Sequence, residues 1–410
     1  MSAATDNDGM RPAIPIMAVV FASFLVIGMA LPVLPLHVHD VLGFGPFVVG
    51  LVTGFQFLAA LVSRLWAGRL ADRRGPRVAV LLGLGGAIAG GAFYLFSLML
   101  LAQPAMSVAL LLVGRTLIGG GESLIITGGI TWALGLIDGR QAARSIAWVG
   151  MSMFAALAVG APLGSAVYSS WTFEGIALTT VIVSILAVFV TRRVTPFVPE
   201  PAPAQPIATV MRAVALPGFG FALSGITFGA VTAFLTLFFA VEGWQNGALA
   251  FTAFAVSLIV SRIVAGHLPD RFGGARVAIW SLCIQAAGLG LIGAAPAGSM
   301  AFVGAVIAGT GFSLVFPSLG LEAVRIAPPE ARGLAMGVYN AFLDLTLGFV
   351  SPALGLLADV AGLRSVFFAS AVCALLALPI AAILIQRDGR SRSFLPFLKA
   401  RVSAPRNDSC

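Results

Sequence analysis

Charged residues are scarce in this sequence. Only 10% of its 410 residues are Asp, Glu, Lys or Arg, whereas 59% are hydrophobic. A soluble domain carries about a quarter charged residues, and a single core in a chain of this length does not bury so much apolar surface. The composition therefore excludes an ordinary soluble domain and indicates a membrane protein.

Cysteine and histidine are also rare. The three cysteines lack the spacing of a disulfide framework or a zinc site. The three histidines are scattered along the chain and form no metal-binding cluster. The glycine clusters do not follow a strand, which argues against a nucleotide-binding loop. We therefore expect no metal, no cofactor and no nucleotide chemistry.

Long apolar runs, in contrast, are abundant. Many exceed the roughly 18 residues that indicate a membrane-spanning helix, and the short alternating segments of a membrane barrel are absent. The sequence predicts an all-α polytopic membrane protein with twelve transmembrane helices. The predicted spans are 14–36, 45–68, 78–101, 107–130, 145–168, 172–191, 213–240, 248–268, 277–295, 300–323, 333–357 and 364–386.

Arginines are distributed unevenly between the two sides of these spans. Most lie in loops on one side. The loops on the other side contain one arginine, Arg364, and four acidic residues, Asp40, Glu174, Glu242 and Asp359. Because loops rich in Lys and Arg stay in the cytoplasm, we expect a bacterial inner-membrane protein with both termini inside. The net charge of +8 then reflects the orientation of the protein in the membrane. We expect the basic tail to lie near anionic lipid headgroups rather than to bind nucleic acid.

A proline-rich stretch divides the chain. Residues 192–212 contain five prolines and few apolar residues, which is typical of a linker. The predicted organisation is a cytoplasmic stub (1–13), a first six-helix bundle (14–191), the cytoplasmic linker, a second six-helix bundle (213–386) and a basic cytoplasmic tail (387–410). The remaining loops are short and leave little room for an extramembrane catalytic domain.

A repeated junction relates the two bundles. Residues 61–80 read LVSRLWAGRLADRRGPRVAV, and residues 259–279 read IVSRIVAGHLPDRFGGARVAI. Such a duplication is common in secondary transporters, whose two halves move around a site between them. The matching residues are Arg64 with Arg262, Gly68 with Gly266, Asp72 with Asp270, Arg73 with Arg271, and Gly75 with Gly273.

The first copy, from Gly68 to Arg77, closely resembles the signature cytoplasmic loop of the major facilitator superfamily. The whole chain is similar to its twelve-helix drug:proton antiporters, especially bacterial arabinose-efflux-like permeases. The resemblance implies that Asp72, Arg73 and Arg77 latch the two halves, because a carboxylate among guanidinium groups gains charge-assisted hydrogen bonds. Alternatively, the loop is a basic cytoplasmic turn without a gating role.

The fourth span contains Arg115 and Gly119, which resemble the Arg-x-x-x-Gly motif of the antiporters. A charge inside the bilayer is expensive unless it faces water, a partner or cargo. Glu122 follows seven residues later on the same helical face. We expect the two charges to share a proton-linked network, or else to form a static buried pair that orders the helix.

The fifth span resembles the antiporter motif of glycines around a Gly-Pro pair. It contains Gly150, Gly160, Pro162 and Gly164, but Ala161 separates Gly160 from the proline. Proline permits a bend, and glycines let helices approach closely. The pattern favours export, with an ordinary kinked packing helix as the alternative.

The eleventh span carries Asn340 and, one turn later, Asp344 near the midplane. The first span contains no acidic residue, although many antiporters of this superfamily place a proton-binding carboxylate there. Asp344 and Glu122 are therefore the candidates for proton coupling or substrate contact. The alternatives are a carboxylate that serves helix packing, or transport without protons.

If the fold of the family holds, the first, fourth, seventh and tenth spans should surround a cavity. Sparse hydroxyls on a mostly apolar wall suit a small amphipathic compound. The candidate lining residues are Thr227, Phe228, Thr232, Thr310 and Ser313.

These observations predict a secondary transporter and not an enzyme. We expect alternating access to export a small organic or amphipathic molecule in exchange for protons, with the bilayer as its environment and a monomer as the working unit. The first alternative is an importer or facilitator of a small solute, with an anion as one option. A lipid-modifying membrane enzyme is disfavoured, because the sequence shows no metal cluster, nucleophile motif or exposed catalytic loop.

Overall fold

A computed structural model describes residues 12–136, 142–196, 207–327 and 332–386. Eleven long helices carry the described part of the chain, and no strand is found in it. The predicted tail, most of the predicted stub and the middle of the predicted linker lie outside these ranges. The helices are α1 (Ile14–Val41), α2 (Pro46–Arg74), α3 (Pro76–Leu98), α4 (Pro104–Leu136), α5 (Ala142–Arg193), α6 (Ala208–Val241), α7 (Gly247–Ala265), α8 (Gly274–Gly293), α9 (Gly298–Ile326), α10 (Arg332–Ala361) and α11 (Leu363–Gln386).

The difference between twelve predicted spans and eleven helices lies in α5. This helix contains two predicted spans, and Thr172 interrupts it with a φ of 51° and a ψ of −158°. A β-carbon on Gly175 would lie 2.6 Å from Val167. Residues eight positions apart in a straight helix are separated by about 12 Å, so the chain folds back sharply at Thr172. The twelve-span prediction is confirmed, and the fifth and sixth spans are joined without a loop.

Equivalent glycines mark the repeated junction. Gly75 connects α2 to α3 with a φ of 88°, and Gly273 precedes α8 with a φ of 91°. L-residues rarely adopt this region, whereas glycine enters it freely. Gly75 and Gly273 are the corresponding positions of the sequence repeat, so the duplication appears in the backbone as well.

Small residues allow the helices of each half to approach closely. Gly83 on α3 faces Gly121 on α4, and Gly288 on α8 faces Gly304 and Ala308 on α9. Within a bilayer, helices associate mainly through close van der Waals packing rather than through exclusion of water. Large apolar side chains such as Val62 and Val264 remain exposed on the outside, as expected for a lipid-facing surface.

The two halves meet along two seams, α2 with α10 and α5 with α7. We call the side with Gly75 and Gly273 the basic face, and the side with Gly45 and Asp359 the opposite face. Close contacts on the first seam run from the opposite face inwards. They pair Gly355 with Pro46, Gly50 with Ser351, Gly54 with Leu347, and Gly348 with Leu58.

Candidate functional site

An ion pair joins the two halves of the protein. The guanidinium of Arg64 on α2 contacts the carboxylate of Asp344 on α10. Only 23% of the Arg64 side chain and 11% of the Asp344 side chain are exposed. A charge-assisted contact of this kind is strong where water is largely excluded. The pair therefore forms an electrostatic contact between the two halves across the seam of α2 and α10.

A second carboxylate lies behind this ion pair. Glu122 on α4 accepts a 2.6 Å hydrogen bond from the side-chain amide of Gln56 on α2. Glu122 also interacts electrostatically with Asp344, Arg64 and Arg115. The sequence-predicted acids Glu122 and Asp344 thus belong to one charge network, and α2 supplies the direct partner of each.

Arg115 attaches α4 to α2. Its side chain is fully buried, and it donates hydrogen bonds of 3.1 and 3.0 Å to the carbonyl oxygens of Val52 and Thr53. Within the described residues, its third nitrogen, Nη1, is buried without a hydrogen-bond partner. Arg115 therefore fixes the position of a buried positive charge about two helical turns from Glu122 on α4.

Arg262, the repeat counterpart of Arg64, lies at the other seam. It projects from α7 and donates a 3.0 Å hydrogen bond to the carbonyl of Ser313 on α9. Its guanidinium lies 4.6 Å from the ring centre of Phe154 on α5 and 5.5 Å from that of Phe316. Each arginine of the repeat therefore reaches the opposite half, but Arg64 meets a carboxylate and Arg262 meets an aromatic ring.

Comparisons with known proteins agree with this architecture. The family model described as Major Facilitator Superfamily matches residues 16–251 and 218–407. The chain belongs to the Major Facilitator Superfamily. It is 40% identical over 387 residues to an uncharacterized MFS-type transporter of Salmonella typhimurium, across 94% of this chain and 100% of that protein. A second uncharacterized MFS-type transporter, from Burkholderia mallei, is 38% identical over 377 residues, covering 92% and 93% of the two chains.

A solved structure gives the same fold. The POT family transporter PepTSo superimposes with a TM-score of 0.74 at 13% identity, covering 92% of this chain and 98% of that one. The protein is thus an MFS-type transporter, a polytopic membrane protein and not an enzyme. Transporters of this superfamily bind small molecules within the membrane. In the described residues, no group of three His, Cys, Asp or Glu side chains is placed to hold a metal ion.

The superfamily's signature loop lies on the basic face. Asp72 and Arg73 are exposed, and in the described part of the chain Asp72 has no ion-pair partner. Arg77 donates a 2.8 Å hydrogen bond to the carbonyl of Arg192, which ties the start of α3 to the end of α5. Gly68 is half-buried, with open space where a β-carbon would project. The latch itself stays a prediction.

The second copy of the loop is arranged similarly. Asp270 and Arg271 are exposed in a helical turn at Leu268–Phe272, after Gly266 ends α7. The Arg271 guanidinium lies 5.4 Å from the ring centre of Phe272. This copy therefore presents its charges on the same face as the first.

The glycines of the antiporter-like segment have unequal surroundings. A β-carbon on Gly160 would lie 2.7 Å from the Leu25 carbonyl oxygen, and one on Gly164 would lie 2.6 Å from the Cα atom of Met29. A β-carbon on Gly150 would meet nothing within 4 Å. Gly160 and Gly164, which flank Pro162 inside α5, therefore allow α5 to pack against α1.

The predicted cavity-lining hydroxyls are engaged in helix packing. Thr232 donates a 2.7 Å hydrogen bond to the carbonyl of Phe228, and Thr310 donates one of 2.9 Å to that of Val306, each within its own helix. Ser313 donates a 2.6 Å bond to the Leu258 carbonyl, which joins α9 to α7.

The remaining two candidate lining residues also contact neighbouring helices. Thr227 is hydrogen-bonded to Gln285 on α8, whose amide also bonds the Ser224 carbonyl at 2.9 Å. Phe228 packs against Phe254 and Phe312. Their role in a substrate cavity stays a prediction.

Sequence reasoning missed three members of the site. Gln56 is a fully buried amide in a long apolar run, which is itself a signal, because buried polar groups need partners. Arg64 and Arg262 were visible as members of the repeat, but not as contacts between halves. Asn340, predicted beside Asp344, is half-buried one turn away from it.

Proposed function

We propose that the protein exports a small organic or amphipathic molecule across the bacterial inner membrane by alternating access, in exchange for protons. The observation that carries this proposal is the ion pair between Arg64 and Asp344. Ionisable groups inside a membrane commonly belong to proton or substrate pathways. A carboxylate that bridges two moving halves is well placed to couple proton binding to their movement.

Proton binding at Asp344 changes the contact between the halves directly. The proton converts the carboxylate to a neutral acid, so the attraction to the Arg64 guanidinium falls and the seam between α2 and α10 loosens. Release of the proton restores the carboxylate and the contact. The equilibrium shifts only to the extent that one state binds the proton more tightly than the other.

Glu122 is the second proposed proton site. Its partner Gln56 lies two helical turns, about 12 Å, from Arg64 along α2. A proton on Glu122 removes a negative charge from a site that interacts with Arg115, Arg64 and Asp344. The occupancy of one carboxylate therefore influences the other, and α2 transmits the change.

The basic face is proposed to be cytoplasmic, with both chain termini inside, because Lys and Arg are retained on that side. Asp72, with its arginine neighbours, is exposed here while the halves are packed at the opposite face. We assign the latch to the other state of the cycle, in which the cytoplasmic sides of the halves come together. Under this proposal the monomer contains the complete transport path.

The second candidate is an importer or facilitator of a small anionic solute with the same fold. Arg262 favours it, because this partly buried cation has no carboxylate partner among the described residues. The direction of transport distinguishes the exporter from the importer. An exporter raises resistance to its cargo when it is expressed, whereas an importer raises uptake.

The proposal is tested in inverted membrane vesicles with an imposed proton gradient and a pH-sensitive dye. A panel of amphipathic cations, organic anions and sugars is added to the wild type and to Arg115→Ala, Asp344→Asn and Glu122→Gln. Glu174→Gln is the matched control, because Glu174 is an exposed acid distant in sequence from the network. We expect one class of compound to discharge the gradient with the wild type and the control only.

Two results would contradict parts of the proposal. Normal proton-coupled transport by Asp344→Asn and Glu122→Gln, singly and together, would remove both proton sites. Equilibration of a radiolabelled solute without any proton movement would replace antiport by facilitated transport.

A further inference from the structure

We propose that Arg262 binds an anionic group of the cargo and that the aromatic side chains beside it receive an apolar or aromatic body. The cargo class is then an aromatic or amphipathic organic anion, such as a carboxylate. This inference rests on the proposed transport function, but it applies to either direction of transport.

Arg262 is an incompletely neutralised cation inside the membrane-spanning region. Its Nε atom is buried without a hydrogen-bond partner in the described residues, and among those residues its guanidinium donates one hydrogen bond, to the Ser313 carbonyl. A neutral carbonyl and two ring faces compensate a positive charge less completely than a carboxylate does. An arginine left in this condition has binding capacity for an anion.

Arg64 and Arg115 also each leave one buried nitrogen without a hydrogen-bond partner among the described residues, but both interact with a carboxylate. Arg64 contacts the carboxylate of Asp344. Arg115 bonds two carbonyl oxygens and interacts with Glu122. Among the described residues, these three arginines therefore share two carboxylates, and Arg262 is the one without an acidic partner.

The surroundings of Arg262 suit an aromatic body rather than a small hydrated ion. Phe316, which lies under the guanidinium, packs 5.3 Å from Phe221 and 5.6 Å from Tyr339, measured between ring centres. Tyr339 in turn stacks on Phe221 at 4.8 Å. These rings pack against one another in this state, so a planar ligand at the guanidinium would have to pack against their edges or displace them, and offset or edge-on ring pairs would then add to its affinity.

The site also draws on both halves. Arg262 comes from α7 of the second half, whereas Phe154, the nearer ring, comes from α5 of the first. Separation of the halves at this seam removes Phe154 from the guanidinium. The affinity for an anion at Arg262 should therefore differ between the two states, which is the condition for a cargo to influence the cycle.

A purely structural role for Arg262, as a clamp between α5 and α7, is the competing explanation. The two roles are separated by binding to the purified full-length protein in detergent, with 2-naphthoate as the anionic probe and 2-naphthamide as its neutral counterpart. Affinity is obtained from the concentration dependence of the unfolding temperature, because a ligand of the native state stabilises it by mass action. The variants are Arg262→Gln, Arg262→Lys and, as an exposed control, Arg276→Gln.

The wild type should bind 2-naphthoate saturably and about tenfold or more tightly than 2-naphthamide, since hydrogen bonds to charged groups are strong. Arg262→Gln should lower the affinity for the anion by about tenfold or more and leave that for the amide unchanged. Arg262→Lys should retain part of the preference, because it keeps the charge without the planar guanidinium. Arg276→Gln should behave as the wild type.

Equal affinities of the wild type for the two probes, an unchanged affinity for the anion in Arg262→Gln, or no saturable binding of the anion to the wild type would overturn the inference. If Arg262→Gln does not fold, the comparison of the two probes on the wild type and on Arg262→Lys decides. Proton discharge in vesicles does not depend on this result, so failure of the anion site and failure of proton antiport are distinguishable.

Discussion

The carboxylate of Asp359, near the end of α10, accepts a 3.1 Å hydrogen bond from the backbone N–H of Phe47 in the first turn of α2. The first N–H groups of a helix have no acceptor within the helix. Gly45 occupies the usual capping position and provides no side chain. A residue of the second half therefore caps a helix of the first, at the face where the halves are packed together.

Loss of this cap should loosen the start of α2. Removal of a capping side chain costs about 1 kcal/mol, which corresponds to about a fivefold change in a local opening equilibrium. We expect Asp359→Ala to accelerate hydrogen exchange of the amides at the start of α2 by about that factor, as measured by mass spectrometry. Glu174→Ala, which removes another exposed acid, should leave these amides unchanged. Identical exchange in the two variants would contradict the capping role.

The ion pair between Arg64 and Asp344 should be costly to break from one side. Removal of one partner of a buried ion pair costs about 3–5 kcal/mol, and somewhat less for a pair that is partly exposed, because it leaves an uncompensated charge. We expect Arg64→Met and Asp344→Leu each to lower the unfolding temperature. The double variant should recover most of the stability but not transport. Additive losses of stability in the double variant would show that the two side chains act independently.

The positive φ of Gly75 should make its replacement unfavourable. A side chain in such a sparsely populated backbone region costs about 1–3 kcal/mol. Gly75→Ala should therefore lower the unfolding temperature. Gly85→Ala is the matched control, because Gly85 lies within α3 with open space at its β-carbon, and alanine there should be neutral or stabilising. Equal unfolding temperatures for the two variants would argue against strain at the junction.

Gly164 and Gly150 should respond differently to the same substitution. A β-carbon at Gly164 would overlap the backbone of Met29, whereas one at Gly150 has open space. Overpacking typically costs about 1–3 kcal/mol. Gly164→Ala should therefore reduce stability and transport in vesicles, and Gly150→Ala should leave both near the wild-type level. Comparable transport by the two variants would remove the close contact between α1 and α5 from the mechanism.

Much of the fold could be predicted from the sequence because the bilayer imposes simple constraints. A helix that crosses it needs a long apolar run, and the repeated Gly75 and Gly273 junctions show how the two halves are related. The sharp fold at Thr172 could not be predicted from the sequence in this way. A short polar interval between two apolar runs predicts a loop, and only the backbone angles show that the helices adjoin directly.

The candidate site was predictable only in part. The depth of Asp344 and Glu122 in apolar segments is readable from the sequence, since buried carboxylates are rare. Their partners Arg64 and Gln56 depend on which helices adjoin, and periodicity does not contain this information. The hydroxyls of Thr232 and Thr310 were predicted to line a cavity, but each donates a hydrogen bond to a backbone carbonyl of its own helix. A threonine in an apolar sequence therefore does not by itself indicate a ligand contact.

The sharp fold at Thr172 has a mechanical consequence. Its two arms adjoin without a loop, so we expect a tilt of the arm that carries Phe154 to move the other arm with it. The first arm contacts Arg262 of the second half, and the second arm ends at Arg192, whose carbonyl receives Arg77. We therefore expect a displacement at the seam between the halves to reach the signature loop through α5. Insertion of residues at Thr172 should uncouple the contact at Arg262 from the contact at Arg77.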